Sequence, residues 1–319
     1  MRIIVKIFLS GISAISCLIT RPLLDIFIRF ISLILLLFSP FQQRLKTDLR
    51  LAFHAAGKPF PRSWPVLIYN IIYHHICLIF EFLRLENFHK TQKRPKIKYD
   101  FEIFKKNGGG LILVPHLGNW ELLGTQLCDQ GFPLGALYLE NDNDFLARIT
   151  HFFRSKSRIK LFNRKNELRQ AVEHLKRGGL LGLINDQDGT RGGIFHDFFD
   201  RQVSSPVGPA YWQAKFKCNV FLLYCIRKSF ENFEMYAEIL CKKGEKMSPF
   251  ALNILINQKY EEIIINNPEN WLWMYNRWKI RHHSSLVELN PCAHKKSGRI
   301  KGRNGSPRTF RESNIYFKL

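Results

Sequence analysis

His116 and Glu121 stand five residues apart in VPHLGNWELLG, residues 114–124. An apolar, strand-like run ends at Pro115, so His116 falls just past its carboxyl end. Gly118 permits a tight turn. Asn119 is a good helix N-cap, which places Trp120 and Glu121 in a first helical turn. Positions i and i+5 of one continuous helix point about 140° apart. With His116 outside the helix, its ring can fold back toward the Glu121 carboxylate. A carboxylate on one ring nitrogen fixes the tautomer and stabilises the imidazolium as it forms. The other nitrogen is then able to take a proton from a hydroxyl. The chemistry implied is general-base activation of an alcohol. On spacing alone, the pair also fits a structural histidine satisfied by a neighbour. Its place at a strand end favours a site, because ligands bind at the carboxyl ends of strands in open α/β sheets.

The surrounding elements must hold that turn. LILV (111–114), PLGALYL (133–139), RIKLF (158–162) and LLGLIN (180–185) read as short buried strands. Between them, 120–130, 144–154 and 166–179 read as helices. A glycine-rich irregular loop follows residue 185, then a helix over 207–217. The runs 219–228 and 233–240 look like two strands of a hairpin, and 251–268 is a helix stopped by Asn267–Pro268. This alternation predicts an α/β fold with a mainly parallel or mixed central sheet flanked by helices. The catalytic domain is expected over 100–285. Ahead of it, 41–60 reads as an amphipathic helix and 63–85 as a nearly all-apolar one, with a polar basic link over 87–99. The segment 286–319 is basic, rich in Gly, Ser and Pro, and expected to be disordered.

Residues 1–40 are the most apolar stretch, interrupted by Arg21, Pro22, Asp25 and Arg29. A cleaved signal peptide, a spanning helix and a helix lying in the interface all compete here. We favour an uncleaved membrane anchor and leave its depth open. Arg44, Lys46 and Arg50 would face the cytoplasm by the positive-inside rule. The formal net charge of +22 favours an anionic partner. With no zinc-finger spacing and no RNA-binding signature, a membrane lipid or phosphorylated substrate outranks nucleic acid. Seven cysteines, an odd number with no CxxC pair, argue for free thiols in a reducing compartment. No HExxH, GxSxG or Walker A pattern occurs, so neither a metal nor a cofactor is expected.

His116-Leu-Gly-Asn-Trp-Glu121 resembles the HxxxxE motif of the bacterial lipid A biosynthesis acyltransferases, within the wider lysophospholipid acyltransferase superfamily. Three further stretches match in family order. Leu180–Gln187 resembles a strand ending in Asp-Gln, and Gly193–Phe199 a G-x-F-x-x-F-F loop. Pro268–Lys279 resembles a closing element with two tryptophans before Arg-Trp-Lys. Asp200 stands where the family usually has glycine. The resemblance covers about residues 20–282.

It implies acyl transfer from acyl carrier protein to a lipid A precursor at the inner membrane, with the catalytic domain facing the cytoplasm. His116 would be the general base and Glu121 its partner, with the acyl thioester as co-substrate. Asn119, Arg154, Arg164, Asp186 and Gln187 are the candidate substrate-binding residues. Arg154 and Arg164 would hold phosphate; Asp186 and Gln187 would line the cleft or simply finish a strand. Other acceptors stay open, including another glycolipid or a lysophospholipid. So does a non-catalytic basic protein of the membrane surface.

Overall fold

The computed structural model describes residues 11, 16, 18–38, 40–90, 96–138, 154 and 158–278. The basic tail and most of the 144–154 helix therefore lie outside the described residues. Among the fully described elements the chain begins with the helices α1 (Arg21–Phe38), α2 (Gln42–Ala55) and α3 (Trp64–Lys90). The chain then runs β1 (Lys96–Lys98), α4 (Glu102–Asn107), β2 (Gly110–Val114), α5 (Trp120–Asp129), β3 (Leu134–Tyr138) and β4 (Lys160–Asn163). It continues with α6 (Leu168–Lys176), β5 (Leu180–Ile184), β6 (Ile194–Phe198) and β7 (Arg201–Ser205). Helix α7 (Gly208–Phe216), β8 (Asn219–Ser229), β9 (Asn232–Cys241) and α8 (Pro249–Asn266) complete it.

Seven strands form one sheet in the order β1-β9-β8-β2-β5-β3-β4. Only the β8–β9 hairpin is antiparallel; all other neighbours in this sheet run parallel. The expected mainly parallel sheet is therefore present. Its central strands are apolar throughout because helices cover both faces. Alternation divides them: Leu111, Leu113, Val220 and Leu222 enter a core with α2, α3, α6, α7 and α8. Ile112, Val114, Phe221 and Leu223 enter the opposite core with α4 and α5.

Three local readings need correction. The apolar helix runs on to Lys90, and β1 occupies part of the expected polar link. A strand of three residues is too short to show a period. The loop after residue 185 contains a β6–β7 hairpin, closed by Phe199 and Asp200 at φ 51° and 55°. Two successive positive φ angles define the hairpin turn that usually carries Asn-Gly or Asp-Gly. Here Phe-Asp adopts it, so the turn residues did not announce themselves.

Helix α1 packs on α3 through Leu24 and Ile28 against Tyr73 and Cys77. Its other face leaves Leu23, Ile26, Phe30, Leu37 and Phe38 more than 60% exposed. Among the described residues, Trp64–Arg84 of α3 is long and apolar enough to cross a membrane. Ile68, Ile71 and Ile72 of the same stretch are nevertheless part of the main core.

Candidate active site

The register of β2 and β5 builds the site. Val114 pairs with Ile184, so residues two positions further on each strand emerge side by side. Those residues are His116 and Asp186. Adjacent strands lie about 4.8 Å apart, within reach of two facing side chains. His116 Nδ1 lies 2.7 Å from Asp186 Oδ1, and the His116 backbone N–H donates to Asp186 Oδ2 at 2.9 Å. A carboxylate only accepts, so Nδ1 carries the proton and Nε2 presents its lone pair. No described residue bonds to Nε2. The imidazole is 15% exposed, whereas Asp186 is sealed at 2%.

Asp186 is held ionised despite its burial. Burial pushes its pKa upward. The attraction of His116 and three hydrogen bonds, from the His116 ring, the Trp271 indole and the His116 backbone, more than offset this and bring it below the ordinary value. The Trp271 Nε1–H donates to Oδ2 at 2.9 Å.

Glu121 is therefore not the hydrogen-bonded partner of His116. Its carboxylate faces Arg154, whose Nε donates to Oε2 at 2.9 Å and whose Nη2 donates to Oε1 at 2.5 Å. The Trp120 indole also donates to Glu121 Oε1 at 3.1 Å. The physical reason is lateral. Asp186 reaches His116 directly across the strand pair, while the Trp120 ring packs edge-on against the imidazole at 4.8 Å. Burial opposes the charge of Arg154, but Glu121 outweighs it and raises the pKa.

The other candidates separate. Asn119 is a cap and not a surface contact: it is 1% exposed, its Oδ1 accepts the Leu122 N–H at 3.0 Å, and its Nδ2 donates to Glu81. Gln187 is half-buried next to Asp186. Arg164 is exposed at the end of β4, three strand positions from β2, or about 14 Å across the sheet. Arg154, not Arg164, is the basic residue brought to the motif.

Residues 268–278 brace the loop from behind. Gly118 N–H donates to the Asn270 carbonyl at 2.8 Å, and Leu272 N–H donates to the His116 carbonyl at 3.0 Å. Trp271, Trp273 and Trp278 pack with Phe198 and Phe199 of the β6–β7 hairpin. The Arg277 guanidinium donates to the Ser204 carbonyl and to Ser205 Oγ, each at 2.5 Å. The stretches singled out in the sequence thus form one buttress that ends on Asp186. Gly118 itself sits at φ 63°, and a Cβ there would lie 2.0 Å from the Cys225 carbonyl oxygen. That oxygen belongs to the central sheet and cannot yield. Gly118→Ala is expected to destabilise the protein by about 2 kcal/mol or more. A thermal melt checks it, with an expected fall of several degrees.

From Glu121, Trp120 and Arg154 a narrow apolar crevice of about 70 Å³ runs between α5 and the sheet, past Val114, Leu123, Leu127 and Leu134.

A mainly parallel α/β sheet sets a carboxylate-backed histidine at its strand ends, beside Trp120, which lines an apolar crevice, and so provides the geometry that a general base would need. The chain belongs to the bacterial lipid A biosynthesis acyltransferase family, whose family model matches residues 11–280. It is 22% identical over 180 residues to a phosphatidylinositol mannoside acyltransferase of Mycobacterium tuberculosis (strain CDC 1551 / Oshkosh), covering 53% of this chain and 54% of that protein. It is 24% identical over 179 residues to a lipid A biosynthesis acyltransferase of Haemophilus influenzae (strain ATCC 51907 / DSM 11121 / KW20 / Rd), covering 56% of each. The chain thus spans about half the length of the curated relatives it matches.

Proposed function

We propose that the protein is an acyltransferase that moves a fatty acyl chain from an acyl carrier protein thioester to a hydroxyl of a lipid A precursor. The observation that carries this reading is the His116–Asp186 contact at 2.7 Å, which leaves Nε2 without a bond from any described residue, beside Trp120, whose ring packs on the imidazole and lines the apolar crevice. His116 Nε2 takes the acceptor hydroxyl proton while the oxygen attacks the thioester carbonyl. The tetrahedral intermediate collapses, the C–S bond breaks, and the departing thiolate takes the proton back from the imidazolium. No acyl-enzyme is needed. Backbone N–H groups at the start of α5 are the oxyanion donors in this scheme. Asp186 holds the imidazole and balances its charge, while Glu121 fixes Arg154 for an anionic group of the acceptor. The direct His116–Glu121 pairing is not retained in the mechanism.

The apolar outer face of α1 would rest in the inner membrane, with Arg44, Lys46 and Arg50 of α2 on the cytoplasmic side. This brings the cleft to lipid acceptors without requiring a full span. The phosphatidylinositol mannoside relative keeps a second glycolipid acceptor in view.

Mass spectrometry of lipid A from cells with and without the protein tests the reading. Loss of one secondary acyl chain is the expected result, and its mass gives the donor length. Unchanged lipid A, with a change in an inositol mannoside or a lysophospholipid instead, would move the acceptor. No lipid change at all would remove the acyl-transfer reading.

A further inference from the structure

We propose that the buried Glu81–Arg227 ion pair is a positioning device for the active site, acting through Asn119 on the turn that carries His116. This rests on the acyl-transfer reading for its kinetics but not for its geometry. Arg227 on β8 and Glu81 on α3 are 1% and 2% exposed, so neither can touch a substrate. Arg227 Nη1 donates to Glu81 Oε1 at 2.5 Å and Nη2 to Oε2 at 2.6 Å. A sealed pair of this kind is costly to desolvate and rarely outperforms apolar residues as a stabiliser. Its worth must be sought in what it holds.

Two connections lead from it to the same turn. Glu81 Oε2 accepts Asn119 Nδ2–H at 2.8 Å, while Asn119 Oδ1 caps α5 through the Leu122 N–H. Separately, the Arg227 backbone N–H donates to Asn270 Oδ1 at 2.8 Å, and the Asn270 carbonyl accepts the Gly118 N–H. Gly118 and Asn119 are thus each tied to Arg227 by a different route. The platform is itself fixed. The guanidinium of Arg227 lies over the Phe233 ring at 4.7 Å. One turn along α3, Arg84 reaches Glu231 between β8 and β9 at 3.1 Å, and Arg21 at the start of α1 reaches the same carboxylate at 2.6 Å. His116 is two residues before Gly118 and Glu121 two after Asn119. Release of Asn119 would therefore loosen both sides of the motif at once. A displacement near 1 Å in a reacting group costs on the order of 100-fold in rate.

Asn119→Ser isolates the link. Serine keeps an oxygen for the Leu122 cap and leaves Glu81 and Arg227 paired, so only the amide bond to Glu81 is lost. The full chain is assayed with a dodecanoyl thioester of acyl carrier protein and a lipid A precursor. Turnover is expected to fall about 30- to 100-fold with KM for the thioester nearly unchanged. Hydrogen exchange of the 116–122 amides should quicken while that of the sheet does not. Asn119→Asp sets a carboxylate against Glu81 and should be at least as impaired. It keeps an oxygen for the Leu122 cap, so its loss reads the contact with Glu81 and not the cap.

Native turnover and native exchange in Asn119→Ser would overturn the proposal, as would a loss that resides in KM. If Asn119→Ser fails to fold, Asn119→Asp decides: lost turnover with quickened exchange at 116–122 supports the link, and native turnover with native exchange overturns it. If the native chain itself transfers nothing to this acceptor, the functional reading fails, and the exchange of residues 116–122 still judges the positioning role.

Discussion

His116→Ala is expected to lose turnover by about 1,000-fold while the protein stays folded and KM for the thioester hardly changes. The size follows from what is removed. Without Nε2 the acceptor hydroxyl must reach the carbonyl with no base, and the departing thiolate has no proton donor. The survival of the fold follows from what remains. Asp186 Oδ2 keeps its bonds from the Trp271 indole and the residue 116 backbone N–H, neither of which depends on the imidazole. The ring is partly exposed, so the space it vacates opens to solvent and leaves no sealed cavity. Kinetics on the purified variant, paired with a thermal melt, checks both halves. Added imidazole should recover part of the rate, since the vacated space lies beside an intact Asp186. A variant with native turnover would leave His116 with a structural role only.

The same geometry explains what the sequence conveys and what it withholds. The strand–turn–helix around His116 is legible because each part has a local cause. Four apolar residues make a buried strand, Gly118 alone tolerates φ 63° against Cys225, and Asn119 caps α5. The partner of His116 is not local. Glu121 is the nearest carboxylate along the chain, but Asp186, 70 residues away, is nearest in space because β5 lies beside β2. Strand order is a property of the whole sheet, so five-residue spacing pointed to the wrong acid. A usable signal existed: Asp186, like His116, stands two residues past a short buried strand. The roles of Trp271, Asn270, Glu81 and Arg227 depend on packing between segments remote in sequence. The closing tryptophan element was visible as a motif, but only its contact with Asp186 gives it a function at the site.

Burial also explains why Asn119 and Glu121 divide as they do. Asn119 faces inward, and its amide is used up on the Leu122 N–H and on Glu81. Glu121 lies on the cleft side, where it lines the crevice with Arg154. Two polar residues in one short motif therefore serve opposite ends of the same turn, one toward the core and one toward the crevice.

Asp186→Asn is expected to lower turnover by about 10,000-fold, the scale found when a carboxylate behind a catalytic histidine becomes an amide. The argument is one of donors and acceptors. Oδ2 receives two N–H groups, from Trp271 and from the residue 116 backbone, so the asparagine must place its oxygen there. Its NH2 is then forced to face His116 Nδ1, where the carboxylate Oδ1 had accepted. Nδ1 must become the acceptor, and the proton moves to Nε2. The imidazole keeps its place but presents N–H to the hydroxyl it should deprotonate. Nitrogen NMR of the labelled ring should show this change of tautomer directly, with kcat reduced and KM little changed. Stability supplies an independent check. Because the folded pKa of Asp186 lies below its ordinary value of 3.8, its ionisation stabilises the fold above that pH, and the contribution is lost as pH falls through the folded pKa. The native protein should therefore exceed the asparagine variant in melting temperature at neutral pH, and the gap should close in acid. Native turnover with the proton still on Nδ1 would show that the carboxylate does not set the tautomer. The base would then owe its orientation to the packing of Trp120 and the backbone alone.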